Sequence, residues 1–205
     1  MRFVRPALVL AAAVAVGIAG AASAAPAAAP ATVTFTDPAG DNVSPSGGQD
    51  ITGVTWTTAG TGKNKKYVVK SLVLTLTLAA PPTTDGTTLY GIDAELAGCG
   101  DFYVNYMPGA QLGETFNYAD CGGDPSDPTG SGTSFDAAPE VKGNSIIWTL
   151  PIKSLPGDVK VGSSFTGLNA LTDFVDPVTG IFGSYGAGGP ALEDTATTDK
   201  AFVVG

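Results

Sequence analysis

The chain has 205 residues, with 19 acidic against ten basic side chains, no histidine, and a formal net charge of −9. Lacking histidine, it can build neither a Ser-His-Asp or Cys-His nucleophile nor an imidazole-ligated zinc site. Both arginines stand in the first five residues, so beyond them eight lysines face all 19 acids, and neither nucleic-acid phosphates nor an anionic membrane finds the clustered cations it needs.

Residues 1–24 read as a secretory signal. Arg2 and Arg5 supply the positive start, "ALVLAAAVAVGIAGAA" the apolar stretch, and Ala22-Ser23-Ala24 the small-residue cleavage site, which places cleavage near Ala24/Ala25. The protein is therefore expected to be secreted and extracellular. No cysteine directly follows the signal, and "DKAFVVG" carries no hydrophobic tail, so no membrane anchor is expected after cleavage. The remaining 181 residues, net charge −11, suit one domain with a sizeable core. Residues 25–31 are an Ala/Pro linker of disorder-prone composition, and 32–205 are assigned to a single domain.

Taken in chain order, the domain reads as short strands between Gly/Pro/Asp turns. "TVTFT" (32–36) and "DITGVTWTT" (50–58) come first. "YVVKSLVLTLTL" (67–78) follows, with Leu72, Leu74, Leu76 and Leu78 alternating with polar or β-branched residues, the period-two signature of a half-buried strand. "TTLYGIDAEL" (87–96) precedes a hairpin of 101–107 and 113–118. "SIIWTLPI" (145–152) sets Ile146, Trp148, Leu150 and Ile152 on one face, "SFTGLNALTDF" (164–174) alternates again, and "AFVVG" (201–205) closes the chain. No segment holds a 3.6-residue apolar period. The pattern predicts an all-β antiparallel β-sandwich, immunoglobulin-like or jelly-roll-like, with Trp56 and Trp148 in its core.

Two cysteines in an exported chain predict one disulfide, Cys99–Cys121. Folding the hairpin about Ala110 sets Cys99 opposite Cys121, Phe102 opposite Tyr118, Val104 opposite Phe116 and Tyr106 opposite Glu114. That register buries Phe102 and Phe116. It leaves Tyr103, Asn105 and Asn117 on the opposite face, where an aromatic ring beside amides makes a candidate polyol-binding platform.

The stretch "FTDPAGDNVSPSGGQD" (35–50) concentrates oxygen ligands. Asp37 and Asp41 are drawn together by Pro38 and Gly40, and Asn42 and Asp50 add two more side chains. A hard cation such as calcium takes six to eight oxygens, so these four residues form the candidate metal site. The same residues also serve turn formation without any ion, and the Asp-Pro steps at Asp124, Asp127 and Asp176 show that chemistry recurring. The pairs Asp124/Asp127 and Asp173/Asp176 are lesser cation candidates. Asp93, Glu95 and Glu114 are the acids a carboxylate-based hydrolase would draw on, although they equally suit a solvated strand face. No haem, nucleotide or zinc is expected.

"DPAGDN…QDITGVTW", "WTLPIKSLPGDVKVGSSFTGLNALT" and "DTATTDKAFVVG" resemble segments of small exported bacterial β-sandwich domains. These are similar to the family 9 carbohydrate-binding-module-like and DOMON-like folds, and to the calcium-bearing C-terminal module of glucodextranase-type enzymes. The resemblance implies a sandwich whose early D-P-x-G-D loop carries calcium, here on Asp37 and Asp41. The expected function is a secreted non-catalytic binding module, calcium-stabilised, with a carbohydrate or cell-envelope ligand. The alternatives are an extracellular structural or adhesion protein that binds another protein, and a carboxylate-based hydrolase.

Overall fold

The computed structural model describes residues 30–41, 49–62, 67–110, 114–121, 132–174 and 194–205. Two antiparallel sheets pack face to face. The first, sheet A, runs β1 (Thr32–Phe35), β2 (Ile51–Thr61), β3 (Val68–Leu78), β9 (Ser145–Pro151) and β8 (Glu140–Lys142), in that spatial order. The second, sheet B, runs β11 (Asp194–Thr198), β10 (Ser164–Phe174), β4 (Thr88–Leu96), β5 (Gly100–Tyr106), β6 (Thr115–Ala119) and β7 (Thr133–Ser134), and β12 (Phe202–Val203) also pairs with β10. This is the β-sandwich the alternation predicts, and the described residues contain no α-helix. The predicted signal and linker lie outside the described residues up to position 29.

The core follows from the period-two pattern. Leu72, Leu74, Leu76 and Leu78 of β3 are buried, as are Ile146, Trp148 and Leu150 of the neighbouring β9. Trp56 of β2 reaches across the sandwich to Phe165, Phe202 and Phe102 of sheet B, with ring centroids 5.3, 5.8 and 6.3 Å away. Tilted aromatic contacts of this kind add to the burial of ring area. Cys99 and Cys121 are bonded, and the disulfide packs on Gly157 of the turn before β10.

The hairpin register differs from the expected one by a single residue. Phe102 pairs with Ala119, Tyr103 with Tyr118 and Asn105 with Phe116. A one-residue shift turns every side chain of the second strand to the other face. Phe116, expected in the core, is 55% exposed, and Asn117 is buried. The connection explains the shift. Met107 N–H bonds Glu114 O at 2.8 Å, so an even number of residues separates the strands and no single residue sits at the fold. Glu114 Oε1 also accepts Gly109 N–H at 2.8 Å. The disulfide forms in spite of the shift because the chain bends after β6, where Cys121 N–H bonds Ala119 O.

Candidate metal centre and outer sheet face

The connection from β1 to β2 begins with the Asp-Pro-Ala-Gly-Asp turn. Gly40 takes a left-handed conformation with φ +89°, which costs a residue with a side chain strain that glycine avoids. Its N–H donates to Asp50 Oδ2 at 2.7 Å, so Asp50, ten residues on, pins the turn. The turn presents Asp37 and Asp41 to Asp194, the first residue of β11. One carboxylate oxygen from each of these three acids lies within 4.8 Å of the others. Asp37 and Asp41 thus come together as the sequence predicts. Asp50 is buried and bonds the turn instead of joining the triad, and Asn42 lies outside the described residues. So do Asp124, Asp127 and Asp176, whereas Asp173 is buried on β10.

Asp194 is the candidate ligand the sequence does not reveal. Its Oδ2 accepts Ile51 N–H at 2.6 Å and its Oδ1 accepts Thr195 N–H at 2.8 Å, so the carboxylate is held in place from β2 on one side and β11 on the other. Its distance along the chain hides it, and so does the lack in "EDTATTDK" of an apolar alternation strong enough to mark a strand.

The site is electrostatically frustrated without an ion. Burial and then repulsion from Asp194, Asp41 and Asp50 push the Asp37 carboxyl up from 3.8 to about 6. Burial is also the main cause that raises Asp194, opposed by its two backbone N–H bonds and assisted by Asp41 and Asp50. Asp37 Oδ2 and Asp50 Oδ1 are buried with no hydrogen-bond partner among the described residues. Buried acceptors of this kind cost stability unless something satisfies them. Among the described residues no lysine pairs with any of the four acids; the Lys142–Glu140 pair, at 2.8 Å, sits at the far edge of sheet A. Clustered carboxylate oxygens with orphan lone pairs and no ammonium partner are what a hard cation requires.

The second candidate is the outer face of sheet B. Tyr118, Tyr103, Asp93 and Asn169 form a row across β6, β5, β4 and β10. The Tyr103 and Tyr118 rings stack at 5.2 Å and 24°, and Phe116 lies 5.8 Å from Tyr103. Asn105 lies over Gly91, where an added Cβ would fall 2.6 Å from its Oδ1, so the glycine makes room for the amide. Beside Phe116 a shallow cavity of about 210 Å³ is lined by Asn117, Ser134, Phe135 and Asp136 among others. Asn169 Nδ2 donates to Asp93 Oδ2 at 2.8 Å, and burial, the largest effect, raises the Asp93 carboxyl.

Tyr103 and Asn105 therefore stand on the outer face as expected. Asn117 does not. The register shift turns it inward, where its Nδ2 bonds the carbonyls of Phe135 and Ala137 and its Oδ1 accepts Asn105 N–H. Phe116 and Tyr118 take its place on the platform. Of the acids weighed for hydrolysis, Asp93 and Glu95 share this face, whereas Glu114 bonds the hairpin turn.

No family model matches the chain, and neither a curated protein nor a solved structure matches it.

Proposed function

We propose that the protein is an exported, non-catalytic binding module whose sandwich is stabilised by a bound calcium ion. The observation that carries this reading is the convergence of Asp37, Asp41 and Asp194 within 4.8 Å, with Oδ2 of Asp37 buried and without a partner among the described residues. Calcium suits an all-oxygen set with irregular spacing better than magnesium, which demands near-ideal octahedral geometry. The ion would neutralise a charge cluster that no lysine among the described residues pairs, and its role is to fix the turn. Thermal unfolding with excess calcium and with chelator tests this. A higher melting point in calcium is expected, and identical melting in millimolar calcium and in chelator removes the reading.

For the ligand, the outer face of sheet B supports a carbohydrate. The exposed Phe116 ring beside stacked Tyr103 and Tyr118 offers apolar faces to the C–H side of a pyranose, and Asn105 and Asp136 lie alongside to bond hydroxyls. Their acidic surroundings favour an uncharged glycan. Electrophoresis through gels containing neutral polysaccharides should retard the protein, and Phe116→Ala should abolish the retardation. Uniform mobility across a broad panel removes the glycan and leaves a protein ligand as the reading of this face.

A further inference from the structure

The calcium reading concerns one turn, but the residues around it join the two sheets. Segment 49–51 enters β2 of sheet A; Gln49 and Ile51 bond sheet B, whereas Asp50 accepts Ala79 N–H and Gly40 N–H on the sheet A side. Thr172 Oγ1 of β10 donates to Gln49 O at 2.8 Å, Gln49 Nε2 donates to Thr88 Oγ1 of β4 at 2.9 Å, and Ile51 N–H donates to Asp194 of β11 at 2.6 Å. Five of the eight buried polar side chains among the described residues, Gln49, Asp50, Thr88, Thr172 and Asp194, gather here. The sandwich thus has an apolar middle around Trp56 and a polar seam at the end where β2 and β11 begin.

The charges are divided across that seam. Asp37, Asp41 and Asp50 hang on the β1–β2 connection of sheet A, and Asp194 belongs to β11, the edge strand of sheet B. Like charges this close repel, so without an ion the carboxylates on the two sides work against the hydrogen bonds that join them. A divalent cation bound to both sides turns that repulsion into attraction. Asp50, only 5% exposed, spends its Oδ2 on Gly40 N–H, and its Oδ1 has no partner among the described residues, which leaves a buried acceptor that a cation could satisfy.

We infer that the cation is a latch between the sheets: bound, it clamps β11 of sheet B to the β1–β2 connection of sheet A, and without it this end of the sandwich opens while the apolar middle stays folded. The latch rests on the calcium reading and adds to it a defined conformational response. Partial opening of this kind is how folded domains expose locally weak units.

Hydrogen exchange of the full chain in calcium and in chelator, alongside calorimetric titration of calcium, tests it. Chelation should accelerate exchange about tenfold or more at the Ile51 and Thr195 amides and through 32–35 and 194–198. Exchange in 72–78 and 92–104 should not change. Calcium binding with exchange effects confined to 37–41, or spread evenly over the whole chain, overturns the latch and leaves the calcium site standing. No heat of calcium binding overturns both. Asp194→Asn should leave the β11 amides exchanging at saturating calcium as they do in chelator. Should that variant not fold, Asp41→Asn serves: its exposed carboxylate bonds no strand among the described residues, so protection at Thr195 must return at the higher calcium concentration its weakened site requires. Protection at Thr195 that ignores that shifted midpoint overturns the latch.

Discussion

Replacing Asp37 by asparagine should raise stability in chelator and lower it in calcium. In chelator the substitution removes a charge that burial and three neighbouring acids disfavour. The Asp37 carboxyl is pushed from 3.8 to about 6, and each unit corresponds to about 1.36 kcal/mol. This side chain is partly solvated, so screening reduces the total to about 1 kcal/mol. For a domain of this size that is a rise of roughly 2–4 °C in Tm. In calcium at one hundred times the wild-type Kd, the wild type gains about 2.7 kcal/mol, or roughly 5–11 °C. If the variant binds about a hundredfold more weakly, the same calcium contributes only about 0.4 kcal/mol, near 1 °C. Differential scanning calorimetry of both proteins in both buffers would show the order of Tm values invert. A variant that melts below wild type by the same amount in both buffers would refute the argument, because it would make Asp37 a structural acceptor and nothing more.

Acidity gives a second diagnostic. In the folded chain Asp37 keeps its proton up to about pH 6, against 3.8 ordinarily, so between those values the folded state binds more protons and stability falls as pH rises. In chelator the urea midpoint should therefore drop from pH 4 to pH 6.5, and in saturating calcium, which holds the carboxylates ionised, it should rise; the same slope in both would rule out a shared site. Phe116→Ala should change stability by no more than about 0.5 kcal/mol because the ring is 55% exposed, whereas Trp56→Ala should cost about 3–5 kcal/mol; comparable urea midpoints for the two would return Phe116 to the core. Gly157→Ala should destabilise the oxidised protein strongly, since Gly157 has φ +75° and an added Cβ would fall on the sulfurs of Cys99 and Cys121. Reduction should narrow the gap between variant and wild type in the same assay, and an unchanged gap would mean backbone strain alone is responsible.

The parts of the fold legible in the sequence are those where side-chain contrast is strong. The leucines of β3 and the Ile-Trp-Leu row of β9 announce both their strands and their faces, because burial with period two needs no knowledge of the partner. The Asp37–Asp41 turn is legible because Pro38 and Gly40 act locally. Asp194 is not, since its meeting with Asp37 depends on where β11 docks, and that strand carries only small and polar residues. The hairpin shows a different limit. Its apolar residues, Phe102, Val104, Phe116 and Tyr118, fit either register, and the cysteines sit beyond the paired strands, where the chain is free to bend. Turn geometry decided between registers, so Asn117 and Phe116 exchanged places.

The strand order has a consequence for synthesis. β3 pairs with β9 and β4 with β10, so each sheet depends on a strand whose paired residues lie between 68 (Thr77 to Ser145) and 86 (Thr88 to Phe174) positions downstream. A ribosome delivers β1 to β7 first. Until residues 145–174 emerge, the Leu72–Leu78 row has one open edge and no opposing layer complete. Contacts so distant in sequence form slowly, on a millisecond-to-second scale, and an unpaired apolar strand is the surface on which nascent chains aggregate. The nascent chain thus stays dependent on protection from self-association until nearly the whole domain has been made.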